Sequence, residues 1–332
     1  MGVIGVNSRP KVYVTDHQFE NLAIESEILG EAQAELTDLQ TRDPLQVAER
    51  AQDADALFNL YTKLDGDILK RLPRLKVIVR YGVGVDTVDL EAATQLGIYV
   101  ANVPDYGVDE VSTHALSLLL GLARKTCLYD RKVRGGTWDV KLGKPIRRLI
   151  GQKVGLVGFG RIPKLLTPKL QVLGFEVLAC DPYVSADAMR AVGVRPCDSL
   201  AGMASEVDYL SVHVPLGRDT RHLISAEVLQ VMKRSAYLIN TSRGATVDEM
   251  ALIRALTEGE IAGAALDVME QEPPAPDNPL LWMDNVILTP HAAYYSEEAF
   301  VDLRKKAAQQ ICEVLRGGVP ENLVNKEVLQ GP

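Results

Sequence analysis

Arg243 in the run Asn240-Thr241-Ser242-Arg243-Gly244, Glu272 in Asp267-Val268-Met269-Glu270-Gln271-Glu272-Pro273, and His291 in Thr289-Pro290-His291-Ala292-Ala293 are the residues of this chain best suited to chemistry. A guanidinium is a planar clamp for an anion. An imidazole exchanges protons near neutral pH, and a carboxylate bonded to it fixes its orientation and favours its protonated form. Together the three could hold a carboxylate and pass a proton to or from a neighbouring carbonyl oxygen. Singly each is ambiguous, because an isolated His is more often structural, an Arg more often in a surface ion pair and a Glu more often solvated.

What lies upstream narrows the chemistry. The apolar run Val154-Gly155-Leu156-Val157 breaks into Gly158-Phe159-Gly160-Arg161-Ile162-Pro163, a strand that turns through glycines into a helix. In such a turn the first glycine permits a tight bend and the second lets main-chain N–H groups approach a pyrophosphate. The third glycine position is Pro163, which costs a helix little in its first turn, where the N–H is an orphan. Pro168 falls deeper in the same helix and is expected to kink or locally unwind it. Asp181, 21 residues after Gly160 at the end of the next apolar run, suits the adenosine ribose and would repel a 2'-phosphate. Pro182 and Tyr183 follow it without an Arg, so NAD is favoured over NADP.

The elements that must carry these residues alternate along the chain. Short apolar runs at Lys11-Thr15, Ala56-Leu60, Lys76-Val79 and Ile98-Val100, then at Lys153-Val157, Glu176-Ala179, Tyr209-Val212, Ala236-Ile239, Ala262-Leu266 and Val286-Leu288, are separated by helical patterns. That order predicts α/β architecture with parallel, doubly wound sheets, the second of six strands. From Asp109 to Arg134 a single long helix is expected, apolar nearly all round at Ala115-Ala123 and therefore buried, most simply between two domains. A last helix from Ser296 places Phe300, Leu303, Ala307, Ile311 and Val314 on one face and stops at Gly317-Gly318.

The 332 residues suffice for two domains, and 36 basic against 44 acidic residues, a formal charge of -8, argue against a nucleic-acid partner. Cys127, Cys180, Cys197 and Cys312 form no Cys-x-x-Cys pair, so neither a metal site nor a disulfide framework is indicated. No basic-then-apolar leader opens the chain and no apolar run is long enough for a bilayer, so a cytoplasmic location is expected and no membrane partner.

Taken with Arg80-Tyr81-Gly82-Val83-Gly84-Val85-Asp86, Asn102-Val103-Pro104, His213-Val214-Pro215 and Ala265-Leu266-Asp267-Val268, these motifs resemble the D-isomer-specific 2-hydroxyacid dehydrogenase family over almost the whole chain. The segment His291-Ala292-Ala293-Tyr294-Tyr295-Ser296-Glu297 and the ending Val319-Pro320-Glu321-Asn322 look closest to its C-terminal-binding-protein-like branch, beside the phosphoglycerate dehydrogenase-like one. The resemblance implies two Rossmann-like domains with the active site in the cleft between them. One is a flavodoxin-like, discontinuous substrate domain (1–104 and 294–332) and the other an NAD-binding domain (105–293). It implies Arg243, Glu272 and His291 as catalytic residues. Gly158, Gly160, Arg161, Ile162, Asp181, His213, Val214, Pro215, Thr220, Thr241, Ser242 and Asp267 would contact NAD, with Asp267 beside the nicotinamide amide. Arg80, Tyr81, a main-chain nest at Gly82, Val83 and Gly84, Arg243 and Tyr294 would contact the substrate. The implied activity is reversible reduction of a small 2-keto acid, and the implied assembly a homodimer built on the 109–134 helix. An alternative is an NAD(H)-sensing corepressor-like scaffold with little turnover, against which the chain's end at Pro332, without a long flexible tail, is taken to count. Formate dehydrogenase is disfavoured, because Glu272 stands where those enzymes place a neutral amide.

Overall fold

The computed structural model describes residues 9–330; the outermost ends of the expected substrate domain, 1–8 and 331–332, lie outside the described residues. The chain divides into two compact units: one runs to Gly107 and resumes at Ser296, the other is Val108–Tyr295.

The first unit is a five-stranded parallel sheet of β1 (Lys11–Val14), β2 (Glu35–Asp38), β3 (Ala56–Asn59), β4 (Val77–Arg80) and β5 (Tyr99–Ala101), in the order β2-β1-β3-β4-β5. That is the flavodoxin-like order. Val12, Val14, Phe58, Val77 and Val79 are fully buried, as strands covered on both faces require. The helix Glu297–Leu315 belongs to this unit; Ser296 caps it by accepting the Ala299 N–H at 2.9 Å, and it buries Leu303, Ala307, Ile311 and Val314. At its inner face Arg304 grips the buried carboxylate of Glu25 through Nε at 2.8 Å and Nη2 at 2.7 Å. β2 is an edge strand without an apolar run to mark it in the sequence, because Glu35-Leu36-Thr37-Asp38 is almost entirely polar.

The second unit is a seven-stranded parallel sheet, one strand more than expected. Its strands are β6 (Lys153–Val157), β7 (Glu176–Cys180), β8 (Arg195–Pro196), β9 (Tyr209–Val212), β10 (Tyr237–Asn240), β11 (Gly263–Leu266) and β12 (Val286–Leu288), in the order β12-β11-β10-β9-β6-β7-β8. The extra strand is the two-residue β8, an edge where a proline is tolerated. The chain winds outward from β6 through β7 to β8, then crosses back to β9. The switch point between β6 and β9 is where open α/β sheets bind ligands, outside the carboxyl ends of the strands. Leu210, Val212, Leu238, Ala264 and Leu266 pack on one face, Leu156, Tyr209, Ile239 and Ala265 on the other.

The expected 109–134 helix is two helices. Val108–Arg124 ends where Lys125 takes a left-handed φ of 58°, and Thr126–Arg134 continues after it. Only the first is buried: Ala115, Leu118, Leu119 and Leu122 enter the core of their own unit, whereas the second buries no residue. The helix after the glycine turn, Arg161–Val172, runs through Pro168 uninterrupted, contrary to the expected unwinding. Pro168 and Lys164, whose carbonyl the ring displaces, are both exposed, so water can take the lost hydrogen bond. No helix among the described residues is long and apolar enough to cross a membrane.

Candidate active site

The glycine turn sits at the switch point. Gly158 has φ 89°, and a Cβ there would lie 2.9 Å from Cγ1 of Val214 and 3.4 Å from the His213 main chain, so the turn after β6 packs directly on the loop after β9. Gly160 caps the next helix without a side-chain bond, leaving the first N–H groups, those of Arg161 and Ile162, uncapped; a Cβ on Gly160 would meet open space. Asp181 lies beneath: its Oδ2 accepts the Phe159 N–H at 2.7 Å and its Oδ1 the Tyr183 N–H at 2.8 Å. A carboxylate so held keeps lone pairs for a further donor such as a ribose hydroxyl.

The flanking loop is ordered by its own polar groups. Nε2 of His213 lies 2.8 Å from the Ser211 hydroxyl, its N–H donates to Val157, and burial pulls the imidazole down to about 4. It is a packing group that stays neutral. The hydroxyl of Thr220 donates to the Pro215 carbonyl at 2.6 Å and accepts the Gly217 N–H at 2.7 Å, so it closes the loop. Ser242 likewise gives its hydroxyl and N–H to Oδ1 of Asn240. Thr241 differs: its buried Oγ1 has no hydrogen-bond partner among the described residues. An orphaned hydroxyl, an uncapped helix start and open space over Gly160 fit a bound dinucleotide.

Arg243 and Glu272 are brought together by main-chain packing. The Arg243 carbonyl accepts from Nδ2 of Asn240 at 2.9 Å and Oγ1 of Thr246 at 2.7 Å, which pins the turn, and Nη1 donates to the Ser242 carbonyl at 2.8 Å. Gly244 then lies so close to the next loop that a Cβ would stand 1.9 Å from the Met269 carbonyl. Three residues further on, Glu272 accepts the Met269 N–H at Oε1, 3.0 Å, and meets Nδ1 of His291 with Oε2 at 2.6 Å. Burial raises the Glu272 titration, but the His291 bond and charge, the Met269 N–H and Arg243 outweigh it, so the carboxyl lies below its ordinary value.

His291 has φ 54°, and one residue fastens its turn. The Asp267 carbonyl accepts the His291 N–H at 2.8 Å; Oδ1 accepts Oγ1 of Thr289 at 2.6 Å and the Ala292 N–H at 2.9 Å, and Oδ2 the Ala293 N–H at 2.9 Å. Asp267 is therefore a buried anchor of the turn that carries His291. The ring of Tyr294 stands edge-on to His291 with centroids 6.1 Å apart.

In the first unit the expected substrate residues divide. Tyr81 is core: its hydroxyl donates to Glu25 at 3.2 Å, its N–H donates to Asn59, and its ring stacks on Phe58. Its assignment to the substrate is corrected accordingly. The Gly82 N–H turns back to the Arg80 carbonyl at 2.9 Å, and the Arg80 side chain folds over Gly82, whose φ is 140°. The nest thus narrows to the N–H groups of Val83 and Gly84.

Residues 116–293 match the NAD binding domain of the D-isomer specific 2-hydroxyacid dehydrogenases. A D-3-phosphoglycerate dehydrogenase from Methanocaldococcus jannaschii is 40% identical over 95% of this chain, which spans only 59% of that protein's length. A glyoxylate reductase from Thermofilum pendens is 40% identical over 97% of this chain and 96% of its own. Among solved structures, an NADPH-dependent glyoxylate/hydroxypyruvate reductase from Sinorhizobium meliloti, in complex with NADP and malonate, superposes with a TM-score of 0.83 at 31% identity, covering 97% of this chain and 98% of that one. With the glycine turn at the switch point and His291 on Glu272 in the same unit, the chain belongs to the D-isomer-specific 2-hydroxyacid dehydrogenases.

Proposed function

We propose that this protein interconverts a small 2-keto acid and the corresponding D-2-hydroxy acid with NAD(H), and that Arg243, Glu272 and His291 carry the reaction. The observation that carries this is the 2.6 Å contact of His291 Nδ1 with Glu272. It leaves Nε2 as the ring nitrogen to face a substrate oxygen. Bound nicotinamide would supply or accept hydride at the substrate's second carbon. In reduction His291 gives the proton to the carbonyl oxygen, Glu272 stabilises the imidazolium form beforehand, and Arg243 holds the neighbouring carboxylate. Arg80 and the Val83 and Gly84 N–H groups add further anion donors in the first unit, and Tyr294 borders the substrate's side-chain end.

NAD is the cofactor we favour, because the Asp181 carboxylate is positioned by two main-chain N–H groups and would repel a 2'-phosphate. The 2-keto acid reductases among the relatives support the enzyme reading over a corepressor-like scaffold. For assembly we favour a homodimer through the surface after the first long helix, where Trp138, Val140 and Ile150 are 89%, 76% and 73% exposed. Separate large apolar side chains on one stretch suit a second copy of the chain. Sedimentation should give a dimer that Trp138→Glu dissociates.

The test of the activity is NADH oxidation with glyoxylate, hydroxypyruvate, pyruvate, longer 2-keto acids and phosphohydroxypyruvate, with chiral analysis of the product. Turnover to the D isomer of at least one is expected; no turnover of any, or an L product, overturns the reading.

A further inference from the structure

The loop that carries Glu272 is held from behind by two more carboxylates. The Glu249 N–H donates to Oε1 of Glu270 at 3.2 Å, and the Glu270 N–H donates to Oε2 of Glu249 at 3.0 Å. This reciprocal pair joins the start of the helix Glu249–Thr257 to the loop leaving β11. Nδ2 of Asn278 donates to the other Glu249 oxygen at 2.7 Å, and Nε2 of His222, on a residue with φ 51°, stands 2.7 Å from Oε1 of Glu270. Glu270 directly follows Met269, whose N–H holds Glu272.

We propose that Glu249 and Glu270 form a clamp, with His222 and Asn278 as its side contacts, that positions Glu272 on His291 and so sets the proton affinity of that imidazole. The proposal rests on the acid/base reading of His291. Carboxylate-to-main-chain bonds are charge-assisted and directional; two of them in opposite senses tie Glu270 to Glu249 by its N–H and its side chain, and Gly244 packs against the same Met269-Glu270 peptide. Two carboxylates would repel each other unless donors offset them; Asn278 donates to Glu249, and the Glu249 N–H donates to Glu270. Among the described contacts, the His291 imidazole meets Glu272, on which Arg243 acts, and the edge-on ring of Tyr294. Of these, Glu272 is the one whose distance the clamp controls. Glu249 and Glu270 are thus positioning residues, acting through Glu272.

The experiment compares full-length Glu249→Ala and Glu249→Gln. Both remove the same charge, but only the glutamine keeps an oxygen to accept the Glu270 N–H. Imidazole titration followed by nitrogen NMR should show the His291 midpoint lower by about half a pH unit or more in Glu249→Ala and within about 0.2 units of wild type in Glu249→Gln. With a 2-keto acid, kcat should fall in the alanine variant and its high-pH limb should move down by the same amount, with KM for NADH unchanged. An unshifted His291 midpoint in a folded Glu249→Ala protein, or equal shifts in both variants, overturns the clamp. Should Glu249→Ala fail to fold, Asn278→Ala takes its place with a smaller shift in the same direction, and no shift overturns the proposal. If wild type reduces no 2-keto acid, the activity reading fails while the NMR comparison still decides the clamp.

Discussion

Oε2 of Glu272 lies 2.6 Å from Nδ1 of His291, and the same carboxylate takes the Met269 N–H on its other oxygen. Its titration lies below the ordinary carboxylate value, so the negative charge opposite His291 persists as pH falls until that lowered value is passed. Replacing it by the neutral amide in Glu272→Gln should therefore weaken the imidazolium. In 2-keto acid reduction the high-pH limb of kcat should move down by about one unit, and kcat at neutral pH should fall roughly tenfold. An unchanged limb in kcat–pH profiles would separate Glu272 from proton transfer.

Two glycines should respond in opposite ways. A Cβ on Gly244 would meet main-chain atoms of Met269 and Glu270 at 1.9 and 2.4 Å, which no side-chain rotation can relieve. Gly244→Ala should drive the Arg243 and Glu272 loops apart, lowering kcat by about a hundredfold and stability by about 1–3 kcal/mol. Gly160 faces open space, so Gly160→Ala should leave the melting temperature unchanged and weaken NADH binding about tenfold by blocking the approach to its pyrophosphate. Thermal melts and NADH fluorescence titrations check both, and equal effects of the two substitutions would count against the site as described.

Several of these contacts were not legible in the sequence. The types of Arg243, Glu272, His291, Gly158, Gly160 and Asp181, and their order along alternating strands, pointed to the chemistry because strand ends and glycine turns follow from local pattern. Gly244 and Asp267 take their importance from approaches between segments distant in the chain, about which spacing is silent. Tyr81 follows a strand and precedes a glycine turn, so its neighbours suggested a ligand site; only Glu25, brought in from 56 residues away, turns its hydroxyl into the core. The break at Lys125 interrupts an unbroken helical pattern through a single backbone angle, and β2 and β8 exist by pairing with neighbours rather than by apolar content.

Burial lowers His213 from 6.5 to about 4. Between those values the unfolded chain binds a proton that the folded one does not, so this residue makes stability fall as pH drops from 6.5 towards 4. The effect should reach on the order of 2–3 kcal/mol, allowing for partial exposure. Urea unfolding midpoints of wild type and His213→Gln, measured across that window, should converge as pH falls; parallel curves would show that the imidazole is not buried neutral.

Asp181→Ala should raise the kcat/KM for NADPH relative to NADH at least about tenfold, because the charge that opposes a 2'-phosphate is gone. It should also lower stability, since the Phe159 and Tyr183 N–H groups lose their acceptor. An unchanged NADPH-to-NADH ratio would remove the ribose assignment.

Whether His291 carries the proton is decided by the steady-state rate of His291→Ala against wild type on the best 2-keto acid, with NADH affinity measured on the same samples. The kcat of His291→Ala should be lower by about 10²- to 10⁴-fold and its NADH Kd within about twofold of wild type. A variant as active as wild type, with NADH bound equally well, would contradict that role.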